Sequence, residues 1–351
     1  MNPGIAPRTT PVAPRSEEEL EERLSRPTPE VVEALRSTPG DVVVLGAGGK
    51  MGPSLTAMVK RAADALGDGR RVVAVSRWGN AGDAARLEGL GVDLVRADLL
   101  SSDAWTRLPD APNVFFMIGQ KFGTTAAPSL TWMTNTILPA RAAERYRDAR
   151  IVAFSTGNVY PLTPATGSGS RESDVLSPVG EYAASCVGRE RVFEDAAARW
   201  ATRVALIRLN YAVDLRYGVL VDLAQRILRN EAIDLAMGYV NCIWQGDANA
   251  IALRTLPLAS VPPFVLNVTG RARLAVRAVA LELGRLLGRV PRFAGREGAD
   301  ALLSDTDKAQ ALFGPPPVGE ETIAAWVAAW ALAGGRTLGK ATRFERRDGA
   351  F

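Results

Sequence analysis

A glycine-rich turn is the first feature of this 351-residue chain whose residue types and spacing could support chemistry. Gly46, Gly49 and Gly52 have the spacing GxxGxxG and follow the apolar run at 41–45. Glycines at this spacing permit a tight turn and allow backbone N–H groups to approach a pyrophosphate at a helix N-terminus. Because a strand pattern precedes the turn and a helical pattern follows it, we predict that a dinucleotide binds there. The predicted binding residues of the turn are Gly46, Gly48, Gly49, Lys50, Met51 and Gly52.

The end of the second predicted strand bears on the choice of dinucleotide. An enzyme selective for NAD usually has Asp or Glu at this place to hold the ribose 2′-hydroxyl, whereas this chain has Ser76 and Arg77. A carboxylate would repel a 2′-phosphate, while a hydroxyl and a guanidinium can bind it. We therefore expect NADP to be preferred, with NAD as the alternative. Another interpretation of Arg77 is a solvated loop residue without a binding role.

The elements that would position these residues follow an alternating pattern. Short β-rich runs occur at 71–76, 92–96, 113–118, 150–155 and 203–209. Helical periodicity separates these runs at 53–66, 129–147 and 180–199. The alternation predicts an α/β fold: a Rossmann-type, doubly wound parallel sheet with right-handed crossovers.

The pattern changes after about residue 211, where shorter helices and mixed segments predict a smaller C-terminal lobe. We expect an N-terminal extension with short helices at 1–39 and an NAD(P)-binding Rossmann domain at 40–210. Residues 211–339 would form most of a substrate-binding lobe, with one segment near 240–257 returning to the sheet. Residues 340–351 would be a charged tail on the surface.

Composition argues against several classes of function. The net charge of +4 is small for this length, and the arginines are scattered, so a nucleic-acid-binding surface is not expected. The chain has no histidine and only two cysteines, which argues against a metal site and a disulfide framework. It has no apolar signal sequence and no run of roughly 20 apolar residues, so we expect no membrane span and a cytoplasmic protein.

Several motifs occur in an order that resembles a known family. After the glycine turn come Asp98-Leu99, the fourth-strand pattern at 114–121 that includes Gly119 and Lys121, and Asn135 in the following helix. The segments at 154–160 and 303–314 complete the set. From about residue 40 to about 333, the chain resembles the extended short-chain dehydrogenase/reductases, the NAD-dependent epimerase/dehydratase family that acts mostly on nucleotide sugars.

The resemblance implies roles for particular residues. Asp98 and Leu99 would contact the adenine, although Asp98 is also a plausible helix cap. Thr156 would hydrogen-bond the substrate oxygen, and Tyr182 would exchange a proton with that oxygen while hydride passes to or from the nicotinamide. The alternatives are that Thr156 closes a turn and that Tyr182 packs at a helix start.

One departure from the family concerns the charge beside the tyrosine. The family has a lysine one helical turn after the tyrosine, where it lowers the phenol pKa and binds the nicotinamide ribose, but this chain has Cys186. A neutral thiol supplies no positive charge, so proton donation by the neutral phenol remains available and base catalysis would be slow. The Asp-Glu pair of dehydratases is Gly157-Asn158 here, which disfavours dehydration.

Two cations are candidates to replace the lysine. Arg189 follows Tyr182 by seven residues on the same helix face, where it could reach the site or simply be solvated. Lys121 follows the fourth strand, and the carboxyl ends of strands border the ligand crevice. Cys186 itself could act as a nucleophile if a cation lowered its pKa, or could be a buried, inert thiol.

The substrate would lie between the sheet and the second lobe. The resemblance places Asn210 and Tyr211 at the border of the cleft, and Asn158 is a further predicted substrate-binding residue. Trp244 and Gln245 could reach a sugar or an acid, or Trp244 could belong to the core.

Two hypotheses for function follow. The first is an NAD(P)-dependent epimerase or reductase that acts on a sugar, nucleotide sugar or related polyol, with Thr156, Tyr182, Lys121 and Cys186 in its catalytic site. The second is a non-catalytic NADP-binding regulatory or scaffold protein of the same fold. The family resemblance also implies a homodimer.

Overall fold

The computed structural model describes residues 12–351, so the first eleven residues of the expected N-terminal extension lie outside the described part. Short apolar runs form its strands. The strands are β1 (Val42–Leu45), β2 (Val72–Ser76), β3 (Asp93–Arg96), β4 (Asn113–Phe116), β5 (Arg150–Thr156), β6 (Thr163–Pro164), β7 (Arg203–Leu209), β8 (Ala212–Val213), β9 (Ala232–Asp234), β10 (Tyr239–Val240), β11 (Ile243–Trp244), β12 (Phe264–Val268), β13 (Leu274–Ala275), β14 (Arg292–Ala294) and β15 (Asp300–Ala301).

Helices connect most of these strands. The α-helices are α1 (Glu17–Ser25), α2 (Pro29–Arg36), α3 (Gly52–Leu66), α4 (Ala81–Gly89), α5 (Pro128–Trp132), α6 (Leu138–Arg145), α7 (Gly180–Trp200), α8 (Val219–Leu228), α9 (Gln245–Arg254), α10 (Val276–Leu287), α11 (Asp307–Phe313) and α12 (Glu320–Leu332). A π-helical turn, Met133–Ile137, joins α5 to α6 within the segment predicted to be one helix at 129–147.

Seven strands form a parallel sheet in the order β12-β7-β5-β4-β1-β2-β3. The strand order reverses between β1 and β4, so their carboxyl ends border the crevice in which α/β sheets of this kind bind ligands. The predicted Rossmann-type, doubly wound fold is confirmed.

Burial on both faces explains why the central strands are uniformly apolar. All four residues of β1 are buried, as are Phe115 and Phe116 in β4. Helices α2, α3 and α9 pack over one face of the sheet, and α6 and α7 pack over the other. Strands covered on both sides read as continuous hydrophobic runs, which is why β1 has no alternation in its sequence.

The second lobe has its own core, formed largely by α8, α10 and α12. Helix α1 contributes Leu20 and Leu24 to this core, whereas α2 contributes Val31 and Leu35 to the core of the sheet. The helices of the N-terminal extension therefore join both cores, since each presents its own apolar face to a different neighbour.

Two details differ from the expectations. The chain returns to the sheet as β12, later than the expected segment at 240–257, of which the greater part is helix α9 packed over the sheet. The expected surface tail at 340–351 carries charges, but it buries Thr342, Phe344 and Phe351. Its apolar side chains pack against the lobe and α7, and this contact outweighs the charged composition of the segment.

Within residues 12–351, none of the helices combines the length and apolar character needed to cross a membrane.

Candidate active site

A cleft of about 720 Å³ lies at the carboxyl ends of the sheet strands. The glycine turn after β1 forms one wall, and Tyr182 in the first turn of α7 lies at the other end. The second lobe contributes Tyr211 and Tyr217, and residues 336–342 complete the enclosure. The cleft therefore spans the predicted cofactor turn, the predicted proton donor and the lobe that was expected to bind substrate.

The glycine turn is tight and has little space for side chains. Gly46 has φ +86°, and the N–H of Gly49 donates to the carbonyl of Gly46 at 3.0 Å. A Cβ at Gly48 would lie 2.5 Å from Ser76 Oγ, and one at Gly52 would lie 2.5 Å from the Ala47 carbonyl oxygen. The turn opens directly into α3, so backbone N–H groups and the helix N-terminus face the cleft. These features fit the pyrophosphate of a dinucleotide.

Lys50 connects this turn to the second lobe. Its Nζ donates to the Ala212 carbonyl at 2.9 Å and lies 4.4 Å from the centre of the Tyr217 ring. Burial lowers the pKa of Lys50 to about 8. All six residues predicted in the turn, Lys50 included, line the cleft.

Only some of the other predicted cofactor-binding residues line the cleft. Arg77 and Gly119 line the cleft, whereas Ser76 is turned toward Gly48. Asp98 and Leu99 do not line it. An Asp98 carboxylate oxygen accepts from the N–H of Leu100 at 3.1 Å, and the Leu99 side chain is buried in the core.

Thr156 and Tyr182 meet at the far end of the cleft. Thr156 ends β5, and its hydroxyl oxygen accepts from the N–H and the side-chain amide of Asn158 at 3.2 and 3.0 Å. Burial raises the pKa of the Tyr182 phenol, a hydrogen bond with Thr156 opposes that rise, and the Arg189 charge opposes it further. The phenol is therefore protonated at neutral pH and ready to donate.

Cys186 lies one turn after Tyr182 and is completely buried. Burial raises the pKa of the Cys186 thiol, although the charges of Arg189 and Lys121 and a hydrogen bond with Tyr182 oppose the rise. A protonated, inaccessible thiol is a poor nucleophile, so the geometry fits the inert alternative better than covalent catalysis.

Lys121 approaches the same end of the cleft from the loop after β4. Its Nζ donates to the Thr342 carbonyl at 3.3 Å and lies 4.6 Å from the centre of the Phe351 ring. Burial lowers the pKa of Lys121 to about 8, and the nearby carboxylates of Asp222 and Glu345 limit the shift.

The sequence reasoning missed the contribution of residues 336–351, which we call the closing segment. Phe351 packs edge-on against Tyr182 with ring centroids 5.6 Å apart, and its carbonyl accepts from the N–H of Gly123 at 3.1 Å. The N–H and hydroxyl of Thr342 both donate to an Asp222 carboxylate oxygen. The apolar ring at the end of a charged stretch was the one signal available in the sequence.

Polar residues of the second lobe are mostly held by one another. Asn210 lines the cleft, but its side-chain amide donates to Asn241 Oδ1 at 3.0 Å and to the Leu302 carbonyl at 3.3 Å. Tyr211 lines the cleft with φ +46°. The Gln245 amide donates to Ser54 Oγ at 2.9 Å, and Trp244 packs in the lobe core.

An ionic cluster from α1 was also missed. Arg216 pairs with Asp214 at 2.9 Å and with Glu21 of α1 at 2.6 Å, and all three side chains line the cleft. The pairs join α1 to the lobe beside the glycine turn. Nothing in the local sequence around Glu21 indicated this contact, because Arg216 lies 195 residues further along the chain.

Asp247 lies in the first turn of α9 and contacts a neighbouring segment of the second lobe. Its carboxylate accepts from the N–H of Val318 at 2.9 Å, in the loop before α12. Burial raises the pKa of this carboxyl to about 7.

No protein-family model and no curated protein sequence matches the chain. Solved structures match it over most of its length. MoeE5 in complex with UDP-glucose and NAD is 22% identical with a TM-score of 0.67, and the match covers 84% of this chain and 99% of MoeE5.

Two further solved structures give the same result. A dTDP-glucose 4,6-dehydratase double mutant from Streptomyces venezuelae, with NAD bound, is 18% identical with a TM-score of 0.70, covering 83% of this chain and 96% of the other. A UDP-glucose 4-epimerase from Thermotoga maritima, with UDP-glucose, is 17% identical with a TM-score of 0.67, covering 83% and 98%. Likeness at this level of identity shows the fold, a Rossmann-type α/β fold that this chain shares with these structures.

Proposed function

We propose that this protein is an NAD(P)-dependent enzyme that exchanges hydride with a nucleotide sugar, as an epimerase or a reductase. The observation that carries the proposal is that Thr156 and Tyr182 both line one end of a cleft whose other end is the glycine turn. A proton donor and a dinucleotide cradle at opposite ends of one cleft are the two parts that hydride exchange with an alcohol or carbonyl requires.

The cofactor would lie along the cleft between these ends. Gly48, Gly49 and the N-terminus of α3 would hold the pyrophosphate of the cofactor. Gly119 would leave room beside Arg189 for the end of the cofactor that is nearest the substrate. When bound, a nicotinamide dinucleotide supplies the hydride acceptor or donor.

The protonation state of Tyr182 determines whether reduction or oxidation of the substrate is easier. Because the phenol is neutral at pH 7, it can donate its proton to a carbonyl oxygen held by Thr156, which supports reduction. Oxidation of an alcohol needs the ionised Tyr182 phenolate to accept the proton of the alcohol. The rate of oxidation should therefore increase as the pH rises. Epimerisation needs both directions in turn. Gly157 and Asn158 carry no carboxyl group, which disfavours elimination of water.

Nucleotide sugars are the proposed substrate class because the matching structures bind them and because this cleft is rich in cations. MoeE5 was solved with UDP-glucose and NAD, the Thermotoga maritima epimerase with UDP-glucose, and the dTDP-glucose 4,6-dehydratase with NAD. The cationic lining of this cleft comprises Lys50, Arg77, Lys121, Arg216, Arg336 and Lys340, of which Arg216 and Arg336 pair with carboxylates. Several of these cations would favour a substrate that carries a diphosphate.

Two arginines support a preference for NADP. Arg77 lines the cleft at the end of β2, and Arg96 donates to the Arg77 carbonyl at 3.0 Å from the end of β3. Because Arg77 and Arg96 lie at the carboxyl ends of neighbouring strands, their guanidinium groups would be available to bind a 2′-phosphate. A parallel fluorescence titration with NADPH and NADH tests this part of the proposal: tighter NADH binding would contradict it.

The test of the reaction itself uses deuterium transfer from labelled nicotinamide cofactor to a panel of UDP- and dTDP-sugars and their keto forms, read by mass spectrometry. Tyr182→Phe should reduce transfer by a factor of about 10²–10⁴, the usual contribution of a general acid. Tyr146→Phe is the matched control, because its hydroxyl donates to the Pro109 carbonyl in the loop before β4, at the opposite end of the strands from the cleft. Equal rates in both variants would refute the proposed chemistry.

A second candidate is a non-catalytic NAD(P)-binding protein. Two observations favour it: Cys186 stands where the family has its lysine, and Phe351 covers Tyr182. Tight cofactor binding with no deuterium transfer, in the intact protein and in Phe351→Ala, would select this candidate over the enzyme.

A homodimer belongs to the proposal as well. Leu130, Trp132, Met133 and Ile137 expose 36–42% of their surface along α5 and the π-helical turn. Apolar residues grouped on one helical segment are typical of a helix-to-helix contact between two copies. Sedimentation of the protein and of Met133→Glu tests this, and a monomer in both would contradict it.

A further inference from the structure

Arg189 is an arginine buried at the end of the cleft, with only 4% of its surface exposed. It lies on α7, two turns after Tyr182, and points toward the π-helical turn and β5. Its guanidinium donates to three oxygens: the Asn135 carbonyl at 3.3 Å, Asn135 Oδ1 at 3.0 Å and the Phe154 carbonyl at 2.5 Å. All three acceptors are neutral.

The charge of Arg189 is therefore not cancelled. Within residues 12–351, no carboxylate lies within the 4.0 Å that defines an ion pair with its guanidinium. The other two buried arginines near the cleft differ: Arg208 pairs with Glu190 at 2.7 Å, and Arg216 pairs with Asp214 and Glu21. A buried, unpaired charge is costly and uncommon, so its presence calls for a purpose other than stability.

The backbone explains how the guanidinium is held. Pro139 has no N–H and cannot donate to the carbonyl four residues earlier, which is that of Asn135. The π-helical turn at Met133–Ile137 widens the helix at the same point. The freed carbonyl accepts from Arg189 Nε, and a Cβ at Gly119 would lie only 3.1 Å from Nη2. The π-helical turn, α6, β5 and the loop after β4 are thus arranged around the Arg189 guanidinium.

We infer that Arg189 supplies the positive charge that Cys186 cannot, and that it acts as a positioning residue for proton exchange by Tyr182. The inference rests on the proposed function. The positive charge of Arg189 lowers the pKa of both the Tyr182 phenol and the Cys186 thiol, whereas burial raises them. During proton transfer to the substrate oxygen, the O–H bond of Tyr182 breaks and negative charge forms on its oxygen, where a fixed cation stabilises it.

Two other charged groups near Tyr182, Lys121 and Glu190, act on the neighbouring Cys186. Lys121, from the loop after β4, acts on Cys186 and is itself influenced by Asp222 and Glu345. Glu190 of α7 is neutralised by Arg208. Cys186 and the Phe351 ring, which contact the phenol directly, are uncharged. Among the described residues, Arg189 is the cation whose charge opposes the rise in the Tyr182 pKa.

The test measures the ionisation of position 182 without cofactor or substrate. Difluorotyrosine, whose phenol ionises at a lower pH than that of tyrosine, replaces Tyr182, and fluorine NMR follows its titration. Arg189→Gln should raise the midpoint by one pH unit or more, a tenfold or larger change in the ionisation constant. Arg189→Lys should recover part of the shift. Arg141→Gln is the matched control, since Arg141 donates to the Leu99 and Leu100 carbonyls far from Tyr182.

An unchanged midpoint in folded Arg189→Gln overturns the inference. If that variant does not fold, Asn135→Asp keeps the guanidinium but places a carboxylate against it, since Asn135 Oδ1 already accepts from Nη2. Its midpoint should rise in the same way, and no rise would likewise refute the role of Arg189. In the active enzyme, the pH profile of alcohol oxidation should shift with the midpoint. Absence of turnover in the intact protein would refute the proposed function and leave the titration result unaffected.

Discussion

The Phe351 ring meets the Tyr182 ring edge-on, with centroids 5.6 Å apart and planes at 81°. This contact places the last described side chain of the closing segment on the proposed proton donor. Lys121 also contacts the Phe351 ring, since its Nζ lies 4.6 Å from the ring centroid. The substrate end of the cleft is therefore shaped jointly by α7, the loop after β4 and the closing segment.

Replacing Phe351 should open this end of the cleft. Phe351→Ala removes an aromatic pair worth about 0.5–1.5 kcal/mol beyond the apolar surface that the ring buries. We expect thiol reagents to label Cys186, which lies beneath Tyr182, at least about tenfold faster, since about 1.4 kcal/mol corresponds to a factor of ten.

Labelling kinetics measured with a chromogenic disulfide check this expectation. Cys186→Ser isolates the signal of Cys242, the other buried cysteine. Phe313→Ala is the control for a generally loosened fold, because its ring stacks on Arg254 away from the cleft. Equal labelling rates with and without the Phe351 ring would show that it does not cover the site.

Introducing a lysine at position 186 should not improve the activity or the stability of this protein. Cys186→Lys would bury a second cation near Arg189, with no carboxylate partner, at a cost of at least about 3 kcal/mol. We expect a lower free energy of unfolding in urea and no gain in deuterium transfer, whereas Cys186→Ser should preserve both. A faster and equally stable Cys186→Lys protein would mean that the site lacks a charge that Arg189 does not provide.

Lys121 should make stability depend on pH above neutrality. Burial lowers its pKa from 10.5 to about 8, so between these values the unfolded chain binds more protons than the folded one. The contribution of Lys121 to stability therefore becomes more favourable as the pH rises through this window, and the cost of its burial is fully present below pH 8.

Lys121→Met should consequently raise the free energy of unfolding by about 1–3 kcal/mol at pH 7, with the gain shrinking toward pH 10.5. Urea denaturation across this range measures the difference. Lys340→Met, which changes an exposed lysine at the cleft rim, should show no such trend. A gain that is constant with pH would refute the titration of Lys121 as its cause.

The fit of the glycine turn against β2 can be tested by a pair of substitutions. Gly48→Ala would place a Cβ 2.5 Å from Ser76 Oγ, and overpacking of this kind costs about 1–3 kcal/mol. We expect lower stability and weaker dinucleotide binding by fluorescence titration. Adding Ser76→Gly should recover part of both, because it removes the clashing side chain. No recovery would show that Gly48 is required for another reason.

Much of this architecture is encoded locally and was predicted from the sequence. Val42–Leu45, the glycine turn and helix α3 are consecutive, and each element follows from its own residues: an apolar run, a turn that needs glycine, and helical periodicity. The separation of Tyr182 from Cys186 by one helical turn is equally local. These features determined the parallel sheet and the expected places of the cofactor and the proton donor.

Only the tertiary structure decided which charges reach the site. Arg189 was ambiguous in the sequence, because a helix face does not reveal whether it meets solvent or the carbonyls freed by Pro139. The contacts of Glu21 with Arg216 and of Phe351 with Tyr182 join segments far apart in the chain. Such contacts depend on how separate elements pack, and no local pattern records them. The sequence thus determined the framework of the cleft, and packing between distant segments determined its electrostatics and its closure.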